Sequence, residues 1–131
     1  MIKTLLFLLT LLSSLYADHM RWKSNYEKAL IRAKKEHKVL MLLLIKNNCL
    51  NCNRLIAENF INQTYIKELQ SKTIPVIINN QSSANYPREL FYSTDYPALF
   101  FVDPQTELFL GKPLHYPIKK SEITKLLKEL Q

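Results

Sequence analysis

Cysteine is scarce in this chain, and the scarcity is informative. Only Cys49 and Cys52 occur, too few for a four-cysteine zinc site, and neither lies near the N-terminal apolar run, where a lipoprotein cysteine would stand. Histidine is nearly as rare. His19, His37 and His115 show no ligand pairing, so two further zinc donors are not in view. Asn53, rather than histidine, directly follows Cys52, which excludes haem attachment. No apolar run reaches the about 20 residues that a membrane span requires. A dense basic run and nucleic-acid motifs are also missing: the lysines and arginines behind the net charge of +7 are spread through helices with glutamates between them. That pattern fits a solvated basic surface and no nucleic-acid partner. Without a repeat, linker or low-complexity tract, 131 residues make one domain.

What is present begins with MIKTLLFLLTLLSSLYA. Lys3 supplies a positive n-region, Leu5 to Leu12 is almost unbroken apolar residue, and Ser13, Ser14 and Ala17 give a small-residue exit. Residues 1–17 are therefore expected to be a signal peptide and 18–131 the exported, periplasmic domain. Outside the reducing cytosol, disulfides form and persist.

The periodicities predict the order of elements. His19 to His37 has a helical period, with Trp22, Tyr26, Ala29, Leu30 and Ala33 on one face. VLMLLLI, residues 39–45, is a short unbroken apolar run and reads as a strand covered on both faces. From Cys49 the helical period returns through Cys52, Leu55, Ile56, Asn59 and Phe60. Asn62 or Thr64 could cap a further turn through Tyr65, Ile66 and Leu69. IPVII, residues 74–78, is a second strand, at an edge or with Pro75 near its start because proline cannot donate to a ladder. ALFFV, residues 98–102, reads as a strand. A turn over residues 103–106 and a return strand over 107–110 complete a hairpin. Ser121 is expected to cap a last helix carrying Ile123, Leu126, Leu127 and Leu130. A strand–helix–strand unit, a hairpin and a closing helix predict an α/β sandwich around a mixed sheet.

The stretch KNNCLNCNRL places both thiols two residues apart, directly after a strand and at the mouth of a helix. There the backbone N–H groups and the helix dipole favour an anion such as thiolate, the attacking species in disulfide exchange. Cys52, one turn later, can close a disulfide onto Cys49. On this reading Cys49 is the exposed nucleophile, while Cys52, on the buried face, resolves the mixed disulfide. A structural staple is a weaker use, since so short a loop removes little unfolded-state entropy. Copper(I) needs only two soft ligands, so a copper or zinc carrier stays open as an alternative, as does a non-catalytic binding module.

These features together resemble the thioredoxin-like family, most closely the exported branch that includes the C-terminal domain of the disulfide reductase DsbD. Trp22, Tyr26, Glu27, Ala29 and Leu30, followed by AKKEHKVLMLLL, look like its lead-in helix and first strand. Cys49 and Cys52 match its redox pair, and Tyr96-Pro97-Ala98-Leu99-Phe100-Phe101-Val102-Asp103 looks like the strand opened by its cis-proline. The resemblance implies a thioredoxin-like sandwich with a central mixed sheet flanked by helices. It also implies a cis Tyr96–Pro97 bond beside Cys49, with Tyr96 and Pro97 meeting an extended substrate. Gly111 fits the family glycine that faces the redox site from the next strand. Several positions depart from the family. Asn48 stands where an aromatic residue usually precedes the first cysteine, Leu43 replaces a buried acid, and Tyr96 replaces a common threonine. Charge from Lys46 or Arg54 could stabilise thiolate, and His115 could approach from beyond Gly111. The expected activity is thiol–disulfide exchange on protein or small thiol substrates, with no cofactor and with a membrane electron-transfer partner as donor.

Overall fold

The structure, a computed structural model, describes Lys3 and residues 19–129; the signal segment read over 1–17 lies otherwise outside the described residues. In chain order the elements are α1 (Tyr26–Glu36), β1 (Val39–Ile45), α2 (Leu50–Asn59), α3 (Gln63–Lys72), β2 (Thr73–Asn79), β3 (Ala98–Val102), β4 (Leu114–His115) and α4 (Lys120–Glu129). The sheet order is β2-β1-β3-β4, with β1 parallel to β2 and antiparallel to β3, and β3 antiparallel to β4. This is the mixed sheet expected from the order of elements.

Both faces of β1 are covered, as its unbroken apolar run predicts: Leu40 to Leu44 are all buried. Fully burying each such side chain is worth roughly 1.5–3 kcal/mol. Alternation sorts the packing. Leu40, Leu42 and Leu44, with Ile74, Val76, Ile78, Ala98, Phe100 and Val102, meet Tyr26, Ala29, Leu30 and Ala33 of α1. Met41, Leu43, Leu99 and Phe101 meet Leu55 of α2, Leu69 of α3, and Ile123 and Leu127 of α4. One helix therefore covers one face and three cover the other. Among the described residues, no helix is long and apolar enough to cross a membrane.

Three expectations need correction. The helical reading of residues 19–25 fails: Asn25 caps α1, its side chain accepting the Lys28 N–H at 3.0 Å, and the preceding segment runs along the outer edge of β2. There the Lys23 N–H donates to Pro75 O at 2.8 Å and the Ile77 N–H to Lys23 O at 2.9 Å. Met20 and Trp22 alternate into the α2–α4 side of the core, and Trp22 meets Phe60 edge-on with centroids 5.1 Å apart. Pro75 turns its missing donor toward this edge, so the β1–β2 ladder loses nothing. The hairpin's return is also broken. Phe109 forms one isolated bridge to Val102, and the chain leaves the ladder around Gly111 before rejoining it as β4. Ser121 does not cap α4, which already includes Lys120. By contrast Asn62 does cap α3, accepting the Tyr65 N–H at 3.0 Å.

Candidate active site

Cys49 is delivered to its helix by a short turn. β1 ends at Ile45, and Asn47 and Asn48 form a turn before Cys49. Asn48 has φ 51°, in the left-handed region that asparagine tolerates better than most residues. The backbone here thus suits asparagine where the family usually carries an aromatic residue. Cys49 is the N-cap of α2, with extended backbone and a sulfur that accepts the Cys52 N–H at 3.1 Å. No acidic residue occupies the first turn of α2, so no helix carboxylate opposes the favourable field of the helix N-terminus.

The two sulfurs are bonded, 2.08 Å apart, with Cα atoms 5.2 Å apart. Cys49 is 8 % exposed and Cys52 2 %, so the exposed first cysteine expected from sequence is in fact buried, though it is the outer member of the pair. Beside it Leu50 projects outward, 62 % exposed. Beneath α2, Leu43 is fully buried among Leu55, Leu99 and Phe101. The position read as a replaced acid is thus an apolar wall without a titratable group.

The Tyr96–Pro97 bond is cis. Ala98, the next residue, pairs with Leu44, which sets Pro97 at the end of the sheet from which the chain departs toward Cys49. Pro97 is buried and Tyr96 half-buried. The end of β2 connects the two segments. Asn79 Nδ2 donates to Asn47 Oδ1 at 2.7 Å, and the Asn47 N–H donates to Gln81 Oε1 at 2.7 Å. Its neighbour, Asn80, donates through Nδ2 to the Tyr96 hydroxyl at 2.6 Å. The Asn80 N–H donates to Ile45 O at 2.9 Å. Lys46 closes the circuit, its Nζ lying 5.3 Å from the centre of the Tyr96 ring, within cation–π range. Burial, aided by the charge of Tyr86 and Tyr92, holds the Tyr96 phenol above its ordinary value against the opposing effect of the Asn80 hydrogen bond. Tyr96 therefore presents a neutral hydroxyl at physiological pH.

Arg88 secures the loop that carries this network. Its guanidinium donates to Asn80 O at 2.8 Å, to Ser82 O at 2.9 Å and to Ala84 O at 3.2 Å, and it lies over the Tyr86 ring. The supporting role of Asn79, Asn80, Gln81 and Arg88 is invisible in the sequence, where short polar residues after a strand signal only a loop. Lys46 lies over the Tyr96 ring, and Arg54 is an exposed helix residue. His115 does pair with Ala98, but paired residues share a face of a sheet, and Ala98 belongs to the α1 side. The imidazole is thus directed away from α2. Gly111 also differs from expectation: it lies outside any strand, at φ 75°, against Leu126 of α4.

A family model described as thioredoxin-like matches residues 21–104, more than half of the chain. The chain belongs to the thioredoxin-like family. Solved structures share its fold at low identity. A DsbH oxidoreductase is 19 % identical with a TM-score of 0.62, covering 86 % of this chain and 87 % of its own. A protein described as a disulphide-isomerase from Bacteroides thetaiotaomicron is 20 % identical with a TM-score of 0.65, covering 88 % and 93 %. A thioredoxin from Thermus thermophilus is 18 % identical with a TM-score of 0.64, covering 86 % and 88 %. No curated protein sequence matches. In this thioredoxin-like chain, then, the CxxC disulfide sits at the head of α2 and the cis-proline at the same end of the sheet.

Proposed function

We propose that the protein is an exported thiol–disulfide oxidoreductase that reduces disulfides of periplasmic proteins. The observation that carries this reading is the position of Cys49: the outer sulfur of the pair, capping α2 and accepting the Cys52 N–H. In the reduced enzyme the same N–H and helix dipole would stabilise the Cys49 thiolate. That thiolate attacks one sulfur of a substrate disulfide, forming a mixed disulfide and expelling the other substrate sulfur as thiolate. The Cys52 thiolate then attacks the Cys49 sulfur, forming the Cys49–Cys52 disulfide and releasing the second substrate thiolate. Both products take a proton from solvent. A dithiol donor must return two electrons for the next turnover, and a membrane electron-transfer protein fits that place.

Tyr96 and Pro97 act as the substrate edge, where the Tyr96 backbone would pair with an extended segment. The resemblance of the lead-in segment to the C-terminal domain of DsbD, read from sequence, inclines the proposal toward the reductive direction. The test is the equilibrium potential of the couple in glutathione or dithiothreitol buffers. A value near thioredoxin's, about −270 mV, supports a reductase. One near DsbA's, about −120 mV, reverses the direction.

A further inference from the structure

The net charge is not spread evenly over the surface. Residues 21–38 hold seven lysines and arginines against Glu27 and Glu36, giving five of the chain's seven net positive charges. The structure gathers them onto one side. Lys28, Ile31, Arg32 and Lys35 follow i, i+3, i+4 and i+7 on the outer surface of α1, a single helix stripe. Ile31 projects from it, 61 % exposed. Beside the stripe, Arg21, Lys23, Arg32 and Lys38 line one shallow cleft with Gln70 and Thr73, and no carboxylate lines it. Glu36 neutralises part of the face by pairing with Arg32 and with Lys38 at 3.5 Å. Arg21, Lys23, Lys28 and Lys35 have no ion-pair partner among the described residues.

We infer that this face docks the protein onto an anionic membrane surface, through lipid headgroups. An acidic protein would offer the same charge, but two features favour lipid. The face is a cluster of cations on the outer surface of a helix with an exposed isoleucine among them, the kind of polybasic surface that anionic headgroups attract. Its cations are mostly lysine point charges rather than the planar forks suited to fixed carboxylate pairs. The placement is compatible with turnover, since α1 covers the sheet face opposite α2. Docking by α1 thus leaves the Cys49 layer turned toward solvent and its substrates.

The experiment is co-sedimentation of the full chain with vesicles of zwitterionic lipid alone and with about one third phosphatidylglycerol, comparing wild type with Lys28→Gln/Arg32→Gln/Lys35→Gln. Both proteins carry the same N-terminal apolar run, so the ratio of anionic to zwitterionic binding isolates the face. Each cation near such a surface is worth about fivefold in partition, so the ratio should fall by about a hundredfold in the triple variant. The wild-type ratio of anionic to zwitterionic binding should also fall toward one near 1 M salt, where the screening length is about 3 Å. Ile31→Ser should weaken binding to anionic vesicles further without changing its salt dependence. Equal ratios in wild type and triple variant overturn the proposal. So does a wild-type preference for soluble polyglutamate over vesicles, which would assign the face to an acidic protein. Disulfide exchange with a soluble substrate should be the same in both proteins, so this test stands apart from the redox assignment.

Discussion

On the α1 side of the sheet an otherwise aliphatic layer contains a connected group of rings. Tyr26, Phe91, Phe100 and Phe109 form a chain of ring contacts with centroids 5.1–5.6 Å apart. On the other side the packing around Leu43, Leu55, Leu99, Ile123 and Leu127 is largely aliphatic. A polar network of Asn47, Asn79, Asn80 and Tyr96 sits at the end of the sheet nearest Cys49, with Tyr96 itself packed on the α1 side. On the α1 side the Tyr26 hydroxyl donates to Glu107 Oε1 at 2.7 Å. The candidate disulfide centre therefore heads a helix on one side of the sheet, while its neighbouring polar network reaches round the end of the sheet to the other. Edge-to-face and tilted ring pairs link one layer, and short hydrogen-bonded loops close the end of the sheet beside Cys49.

Substitutions at the cysteines should sharpen that contrast most. Cys49→Ser should abolish insulin reduction, leaving only the uncatalysed rate, because no thiolate remains to attack. Cys52→Ser should attack once and stop, accumulating a mixed disulfide visible by mass spectrometry. Equal turnover in wild type and Cys49→Ser would break the comparison, since the second layer would then carry no chemistry. Phe100→Ala is the matching change on the first layer. Loss of a buried ring that contacts Phe91 and Phe109 should cost about 3–5 kcal/mol in denaturant unfolding. The redox potential of the protein that remains folded should not move.

Much of this division could be read from residue order, and the exceptions have physical causes. VLMLLLI could only be a strand buried on both faces, and the two cysteines at a strand–helix junction marked the reactive end. Residues 19–25 misled because a short apolar pattern can satisfy two periods. Trp22 fits the helical stripe of Tyr26, Ala29 and Ala33, but Met20 and Trp22 also alternate, and the capping side chain of Asn25 decides between the two. The broken hairpin turns on Glu107, at φ 56°, a conformation its residue type does not announce. The amide circuit was hidden for another reason. Asn47, Asn79, Asn80 and Tyr96 are brought together by strand register, which no local pattern encodes.

The tie between Tyr26 and Glu107 offers a smaller test of the aromatic layer. A hydrogen bond to a charged group contributes about 1.5–3 kcal/mol, so Tyr26→Phe should lower stability by that order. Burial, reinforced by the hydrogen bond and charge of Glu107, raises the Tyr26 phenol well above its ordinary value of 10.0. Its folded pKa exceeds its unfolded pKa, so this contribution is complete below pH 10.0 and declines as pH rises above it. Unfolding curves of wild type should therefore fall more steeply with alkaline pH than those of Tyr26→Phe. Parallel curves would remove the phenol from the account.

Asn80→Ala should have the smallest effect on stability and the most selective effect on function. Its side chain is half-buried and makes one hydrogen bond, to the Tyr96 hydroxyl, worth about 0.5–1.5 kcal/mol. Tyr96 itself remains packed against the aromatic layer, so the fold should survive. What is lost is the link between the loop bearing Pro97 and the end of β2, whose other tie, through Asn79, holds the turn before Cys49. A looser substrate edge should raise KM by about threefold to tenfold, the size expected from losing one such bond, with the Cys49–Cys52 potential unchanged. A shift in potential with KM unchanged would show that the amide acts on the sulfurs rather than on substrate. The polar end of the sheet would then be a single electrostatic unit, instead of a binding edge standing beside a reactive one.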